Sequence, residues 1–234
     1  MDRVHGGKAE IVGGEAGHLT KVLRVEKGQR YEISDNEHLY LGEVELARRE
    51  QVVFRIIGKL ETRELPLRVT LYASLIKFDH FEWMIGKATE LGAASIVPVI
   101  TERSEKGLDR AVGKRMERWR RIARESSQQS RRWRAPEVDE AIRFHAALSA
   151  SGLRYRLEES GAARPVLQVL PGERKPEDNV SVMVGPEGGW TDGERRAAEE
   201  AGWVAVSLGP TVLRAETAAI AAVAILLAAW QIAG

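Results

Sequence analysis

Short apolar segments alternate with amphipathic helical segments after Pro66, and this alternation restricts the fold more than any other feature of the sequence. Apolar residues recur at every second position from Val69 to Leu75, which is the period of a strand. Further strands are predicted at 95–100, 153–157, 180–184 and 204–208. Alternating strands and helices are typical of an α/β fold with a largely parallel sheet.

Helices are predicted between these strands from their apolar period and their capping residues. Asp79 and Glu82 have the spacing of a capping box, and Gly92 ends the helix that follows. A long helix is predicted over 109–128, with Thr191 to Glu194 capping a shorter one. The residues expected on the buried face of the long helix are Val112, Met116, Trp119 and Ala123.

The chain before Pro66 has a different pattern, with short strands separated by turns. Residues 30–33, 39–46 and 51–57 read as strands, which is typical of a small β-barrel or another β-rich module. The polar segment 61–66 is a plausible linker. We therefore predict two domains, over residues 1–66 and 67–234.

Composition excludes several classes of protein. The 234 residues include no cysteine, which rules out disulfide scaffolds, thiolate metal sites and cysteine nucleophiles. The five histidines are scattered without the spacing of a zinc site, so no metal is expected. The first residues lack the apolar run of a signal peptide, which makes a cytoplasmic location the default expectation.

The last eighteen residues, Thr217 to Gly234, contain no charged side chain. Their length is at the lower limit for a membrane-spanning helix. Alanine dominates the segment, however, and Trp230 and Gln231 lie near its end. A helix buried in a core or a subunit contact is the favoured interpretation, and no membrane partner is predicted.

Positive charge is concentrated between Arg110 and Arg134, where ten basic residues face two acidic ones. The whole chain has a net charge of +1, so this basic segment of +8 stands against −7 elsewhere. Charged helices are often only solvated surfaces. A contact with the phosphates of RNA is the favoured alternative, because Trp119, Trp133 and polar residues interleave with the charges.

Two glycine-containing loops follow predicted strands, where α/β sheets collect their ligands. They are Gly185-Pro186-Glu187-Gly188-Gly189 and the segment from Leu208 to Arg214. Neither loop matches a dinucleotide-binding or Walker motif. The loop from Gly185 to Gly189 could be a ligand-binding loop or simply a turn that leads into a helix. Arg214 either pairs with an acid or stabilises negative charge on a substrate, and Glu216 suits a helix N-terminus.

Four motifs occur together and in order, and with them the chain resembles the bacterial 16S ribosomal RNA uridine-N3 methyltransferases of the SPOUT superfamily. They are Lys87-Ala88-Thr89-Glu90-Leu91-Gly92, Arg118-Trp119-Arg120-Arg121-Ile122-Ala123-Arg124-Glu125, Gly185-Pro186-Glu187-Gly188-Gly189, and Leu208-Gly209-Pro210 with Leu213-Arg214-Ala215-Glu216-Thr217-Ala218. The segment His18-Leu19-Thr20-Lys21-Val22-Leu23-Arg24 also resembles the opening motif of that family. The similarity runs nearly end to end.

This resemblance implies a PUA-like β-barrel followed by a SPOUT α/β domain with a trefoil knot, and a homodimer. It implies S-adenosylmethionine as the cofactor and methyl transfer to N3 of a uridine in 16S ribosomal RNA of the small subunit. The residues expected to bind the cofactor are Val184, Gly185, Pro186, Glu187, Gly188, Leu208, Gly209 and Leu213. Arg214 is expected to stabilise the uracil anion, Glu216 to orient Arg214, and Glu187 to offset the sulfonium charge.

The RNA-binding residues expected from the resemblance are Arg24, Arg118, Arg121, Arg124, Gln129, Arg131 and Arg132. Two positions depart from the family pattern: Thr211 stands where arginine is usual, and Phe78 where glycine is common. Two alternatives remain, a noncatalytic RNA-binding protein and a SPOUT methyltransferase with another RNA target.

Overall fold

The computed structural model describes residues 4–62, 65–159 and 163–232. The chain divides into two compact units, Met1–Glu64 and Leu65–Gly234. Each unit has its own buried core, and each is described by itself below.

The first unit is an antiparallel sheet with one helix. Its elements are β1 (Val4–His5), β2 (Lys8–Val12), α1 (Gly13–Lys21), β3 (Arg30–Ser34), β4 (Leu39–Arg48) and β5 (Gln51–Leu60). The strands pair in the order β1-β2-β5-β4-β3, and among the described residues the edge strands β1 and β3 do not pair with each other. The sheet is therefore open in this part of the chain.

Helix α1 was not predicted, because it begins with two glycines, which disfavour a helix. Packing explains it: Ala16 is fully buried among the sheet residues, and the hydroxyl of Thr20 donates to the carbonyl oxygen of Ala16 at 2.9 Å. Tertiary burial of one small residue outweighs the weak helix propensity of the segment.

The second unit is a parallel sheet covered by helices. Its elements are β6 (Arg68–Ser74), α2 (Phe78–Leu91), β7 (Ser95–Ile100), α3 (Leu108–Ala111), α4 (Met116–Gln129), β8 (Glu137–Val138), β9 (Ile142–Arg143), α5 (Phe144–Ala147), β10 (Leu153–Leu157), β11 (Arg164–Pro165), β12 (Asn179–Val184), α6 (Asp192–Glu200), β13 (Val204–Ser207) and α7 (Ala215–Gln231). The strand order is β11-β13-β10-β12-β6-β7-β8, with β9 also on β7, and the pairs are parallel. The predicted α/β class is confirmed.

The core of this unit lies between the sheet and helices α2, α4 and α7. The four residues predicted to face inward from the long helix are all buried, and Trp119 stacks on Phe81 with ring centroids 4.4 Å apart. α7 buries residues on several sides, among them Ala222, Leu226 and Trp230. In the described residues, no helix is long and apolar enough to cross a membrane.

Two details of the predicted helices were wrong. α2 begins two residues earlier than predicted, with Lys77 rather than Asp79 at its N-cap and no side-chain cap, so Asp79 lies inside the first turn. Glu82 accepts a hydrogen bond from Arg118 instead of closing a capping box. The single helix predicted over 109–128 is α3, a 3₁₀ turn over 112–115 and α4, because Gly113 weakens a regular helix at this point.

Pro98 lies inside β7 rather than on an edge strand. Along the outer side of β7, β8 pairs with residues 95–96 and β9 with residues 99–100. Pro98 lies between these two paired segments, at a position where no neighbouring strand requires a backbone N–H donor. The partner strand of β7 therefore changes at the proline.

Candidate active site

A cleft lies where β10, β12 and β13 end. These strands are neighbours in the sheet, so their carboxyl ends lie at one edge. The segments that follow them, around residues 157–159, 184–190 and 207–215, line a cleft of about 380 Å³. Of the eight residues predicted to bind a cofactor, all but Gly188 line it.

The first glycine-containing loop is held by two side chains that were not predicted from the sequence. Arg103 donates from Nη1 to the carbonyl oxygens of Gly188 at 2.9 Å and of Trp190 at 3.3 Å. Trp190 is buried and donates from Nε1 to the carbonyl oxygen of Leu157 at 2.8 Å. A Cβ on Gly185 would lie 3.0 Å from Cε2 of Trp190, so only glycine leaves this packing undisturbed.

The capping box predicted at α6 is present and extends to a neighbouring segment. The hydroxyl of Thr191 accepts from the backbone N–H of Glu194, while Glu194 Oε2 accepts from the backbone N–H of Thr191. Glu194 Oε1 also accepts from the backbone N–H of Glu102 at 2.9 Å. One buried carboxylate therefore fixes both the end of the loop and the residue beside Arg103.

Glu158 places a buried negative charge in the cleft wall. Its Oε2 accepts from Arg156 Nη1 at 2.6 Å and from Arg195 Nε at 2.8 Å, and Arg156 is only 1% exposed. Burial alone would raise the pKa of the Glu158 carboxyl, but the hydrogen bonds and charges of the two arginines outweigh it and hold that pKa at about 2. Glu158 is thus ionised at neutral pH.

Arg214 lines the cleft at the N-cap of α7, and its side chain is exposed. Within the described residues its guanidinium has no hydrogen-bond or ion-pair partner, although its backbone carbonyl accepts from the N–H of Ala218. Its charge adds to the positive end of the helix dipole. The site therefore holds an unneutralised cation beside the second loop.

Among the described residues, Glu216 forms no hydrogen bond or ion pair with Arg214, the residue that it was expected to orient. It is 6% exposed in the first turn of α7, and its Oε1 lies 3.3 Å from Nδ1 of His80. Glu187 Oε1 lies 4.0 Å from the same nitrogen. His80 was not predicted from sequence, because it is far from both carboxylates along the chain and no motif includes it.

The two positions that depart from the family pattern have different surroundings. Thr211 lines the cleft, so the substitution changes its wall. Phe78 packs edge-on against Trp119, and the guanidinium of Arg115 lies 5.0 Å from the Phe78 ring centroid. Phe78 therefore joins the core at the start of α2.

The predicted RNA-binding residues fall into two groups. Arg121, Arg124, Gln129 and Arg131 are exposed on or just after α4, as is Arg24 in the first unit. Arg118 is tied to Glu82 at 2.8 Å, and Arg132 donates to the carbonyl oxygen of Thr89 at 2.6 Å. Burial lowers the pKa of Arg132 to about 10, so it remains charged at neutral pH.

The chemistry of the cleft suits a cationic donor with a flat heterocycle. Its wall combines main chain from glycine-containing loops, apolar side chains such as Leu208, and the carboxylates of Glu158 and Glu187. Main-chain groups can read the edge of a base, while carboxylates attract a positive charge or accept from hydroxyls. Among the described residues there is no cluster of three or more side chains suited to hold a metal ion.

Comparisons with known proteins agree with this geometry. A family model described as RNA methyltransferase domain matches residues 63–227. Ribosomal RNA small subunit methyltransferase E of Aquifex aeolicus is 33% identical over 221 residues, which cover 92% of this chain and 91% of that protein. The chain belongs to the ribosomal RNA small subunit methyltransferase E family.

Other members of the family support the assignment. The protein of the same name from Mycobacterium bovis is 34% identical over 240 residues, covering 97% of this chain and 89% of that one. A crystal structure of the Neisseria gonorrhoeae member, bound to S-adenosyl methionine, superposes with a TM-score of 0.86 at 29% identity and covers 98% of this chain and 96% of that one. The predicted membership of an RNA methyltransferase family is confirmed, which favours an enzyme over a noncatalytic RNA-binding protein.

Proposed function

We propose that this protein transfers a methyl group from S-adenosylmethionine to N3 of a uridine in 16S ribosomal RNA of the small subunit. The observation that carries the proposal is the guanidinium of Arg214, which has no partner in the part of the chain that the structure describes and lies at a cleft lined by glycine-containing loops. Family membership supplies the reaction class and the cofactor. The uridine N3 target follows from the motif resemblance.

The cofactor fits the cleft at the ends of β10, β12 and β13. Val184, Gly185, Pro186, Glu187 and Gly188 would hold it from the first loop, and Leu208, Gly209 and Leu213 from the second. When bound, S-adenosylmethionine supplies an electrophilic methyl group. Glu187 is 52% exposed there, so its carboxylate can offset the sulfonium charge at little desolvation cost.

Arg214 stabilises the negative charge that develops on the uracil. Loss of the N3 proton spreads that charge over O2 and O4, and a guanidinium presents several N–H donors to such oxygens. Because Arg214, which lines the cleft, has no acidic partner within residues 4–62, 65–159 and 163–232, its charge is available to the substrate. Alignment of N3 with the methyl carbon provides a further share of the acceleration.

RNA contact involves both units. Residues 1–66 form the RNA-binding domain, a PUA-like barrel in our proposal, which presents Arg24. Residues 67–234 form the SPOUT domain, in which the basic side chains of α4 hold phosphates. The target uridine must be unpaired or flipped outward to reach the cleft.

The SPOUT domain is proposed to contain a trefoil knot. Support comes from the neighbouring loops after β10, β12 and β13, which meet in a single cleft as a knotted crossing requires. The enzyme is proposed to be a cytoplasmic homodimer. The uncharged C-terminal segment, in which Ile232 is 83% exposed, supports a subunit contact. Light scattering would give twice the 26.0 kDa chain mass for such a dimer.

Methylation of small-subunit RNA by the purified protein tests the function. Small subunits lacking the modification are incubated with S-adenosylmethionine, and the RNA is digested and analysed by mass spectrometry against authentic N3-methyluridine. The expected product is one N3-methyluridine per 16S RNA. A methyl group on another base, on a ribose or on another RNA supports the alternative target, and cofactor binding without any product supports a noncatalytic RNA-binding protein.

A further inference from the structure

The pair His80 and Glu216 is not explained by the fold or by the proposed role of Arg214. His80 Nδ1 and Glu216 Oε2 are both buried, and neither has a hydrogen-bond partner among the described residues. Nδ1 lies 3.3 Å from the other carboxylate oxygen, Oε1, just outside good hydrogen-bond geometry. Buried polar atoms left in this way are uncommon and often belong to functional sites.

Three elements bring acidic groups to this imidazole. Glu216 comes from α7, Glu187 from the loop after β12, and Asp79 from α2 itself. Glu187 Oε1 is 4.0 Å from Nδ1, and Asp79 Oδ2 is 3.9 Å from Nε2. The imidazole of His80 therefore faces carboxylates from three separate segments of the second unit.

The arrangement selects one tautomer of the neutral ring. Two carboxylates lie near Nδ1, Glu216 at 3.3 Å and Glu187 at 4.0 Å, and they favour the tautomer that carries its proton on Nδ1. The lone pair is then on Nε2. The His80 side chain is 31% exposed, and since Nδ1 is buried, this exposed surface belongs to the other atoms of the side chain. A carboxylate that fixes an imidazole in this way produces a proton acceptor at the opposite nitrogen.

We infer that His80, held by Glu216, accepts the N3 proton of the uracil during methyl transfer. The inference rests on the proposed function, and it supplies a base that Arg214 cannot be, since a guanidinium stays protonated. Nδ1 of His80 lies 4.0 Å from Oε1 of Glu187, which lines the cleft proposed to hold the methyl donor. Imidazole is also the side chain whose ordinary pKa suits proton acceptance near neutrality.

The proposed reaction replaces the N3–H bond of the uracil with a bond from N3 to the methyl carbon. The N3–H bond breaks and its proton goes to Nε2 of His80, while the electron pair left on N3 forms the bond to the methyl carbon. The methyl–sulfur bond breaks with its electron pair remaining on sulfur. Glu216 stabilises the resulting imidazolium, which later releases its proton to solvent.

Single-turnover methylation of small-subunit RNA between pH 5.5 and 9 tests the inference, with His80→Gln as the main variant. The wild-type rate is expected to rise with pH and then level off, because a general base acts only in its unprotonated form. His80→Gln is expected to be about 100-fold slower at pH 7, with a rate that keeps rising with pH because solvent must take the proton. His145→Gln, an exposed histidine on α5, serves as the matched control and keeps the wild-type profile.

Two measurements separate this role from a structural one. Calorimetric titration with S-adenosylmethionine is expected to give the same affinity, within about twofold, for wild type and His80→Gln. Nitrogen-15 NMR of labelled histidine in the wild-type protein is expected to show the Nδ1-protonated tautomer for His80. That second readout does not depend on activity or on whether the variant folds.

Different results would refute the proposed function and the assignment of His80 as the proton acceptor. A wild-type enzyme that methylates no RNA refutes the proposed function. An active wild type with His80→Gln within threefold of its rate, or still levelling off at the same pH, overturns the assignment of His80. The Nε2-protonated tautomer in the wild-type spectrum overturns it as well.

Discussion

Trp190 donates a 2.8 Å hydrogen bond from its indole nitrogen to the carbonyl oxygen of Leu157, joining the end of the first glycine-containing loop to the last residue of β10. Both residues line the cleft, so this bond sets the spacing of two of its walls. Trp190→Phe removes the donor and leaves a buried carbonyl unsatisfied. We expect the free energy of unfolding to fall by about 2 kcal/mol.

The same substitution is expected to weaken S-adenosylmethionine binding severalfold, because the loop loses its fixed position. Urea unfolding and calorimetric titration measure the two effects. Trp83→Phe on the outer face of α2, where the side chain is 52% exposed, is the matched control and changes neither quantity. Equal stability and affinity in Trp190→Phe and wild type would show that the bond does not position the loop.

Arg214→Ala is expected to slow methyl transfer by about 100-fold or more, because the charge on the uracil loses its stabilising guanidinium. Cofactor affinity should stay nearly unchanged, since the second loop also binds through its backbone. Arg214→Lys should recover part of the rate, because it keeps the charge without the planar fork. Single-turnover rates and calorimetry test this, with exposed Arg196→Ala on α6 as the control; an undiminished rate for Arg214→Ala refutes the role.

Glu158 makes the stability of the second unit depend on pH in acid. Its pKa is held at about 2 in the folded protein, below the ordinary value of 4.5, so its contribution is complete above about pH 4.5 and is lost as the pH falls toward 2. Glu158→Gln leaves Arg156 buried without its charge partner and should cost about 3 kcal/mol at pH 7. The difference in the free energy of unfolding between Glu158→Gln and wild type should decrease steadily below pH 4.5.

Urea unfolding at pH 7, 4.5 and 3 measures that difference. Glu199→Gln is the control, because Glu199 is exposed and lies 3.6 Å from Arg156, so the change should cost less than about 1 kcal/mol. A difference for Glu158→Gln that does not change with pH would contradict the ion-pair explanation.

Arg124 and Arg132 should respond differently to alanine substitution, although both belong to the basic segment. Arg124 is exposed without a partner among the described residues, so its loss should weaken RNA binding equally for all sequences and reduce the slope of log K against log salt by about 1. Arg132 is tied to the carbonyl of Thr89, so its loss should lower the melting temperature instead. Filter binding at several salt concentrations and thermal unfolding distinguish the two; identical behaviour would contradict the division.

Local signals in the sequence predicted much of the second unit. The apolar period placed Trp119 in the core, and the spacing of Thr191 and Glu194 located the cap of α6, because both depend on residues three or four positions apart. The glycine-containing loops were located because ligand clefts lie at the carboxyl ends of parallel strands. These features follow from chain-local geometry.

Contacts between distant segments were not predictable in the same way. The approach of His80 to Glu216, the anchoring of Gly188 by Arg103 and the buried pair of Arg156 and Glu158 each depend on how separate elements pack. The hydrogen bond between Arg118 and Glu82 likewise replaced the expected capping box once α2 and α4 were side by side. A lone histidine or arginine carries no sequence signal of its future partner.

The cleft proposed to hold the donor lies at the ends of three neighbouring strands, and this position determines which mutations the protein tolerates. Substitution of side chains that point outward from the rim leaves the backbone of these strand ends in place, so we expect such substitutions to have little effect on the proposed cofactor binding. An insertion or deletion at any of the three strand ends is expected to be tolerated less well, because it shifts the backbone groups of one segment relative to those of the other two.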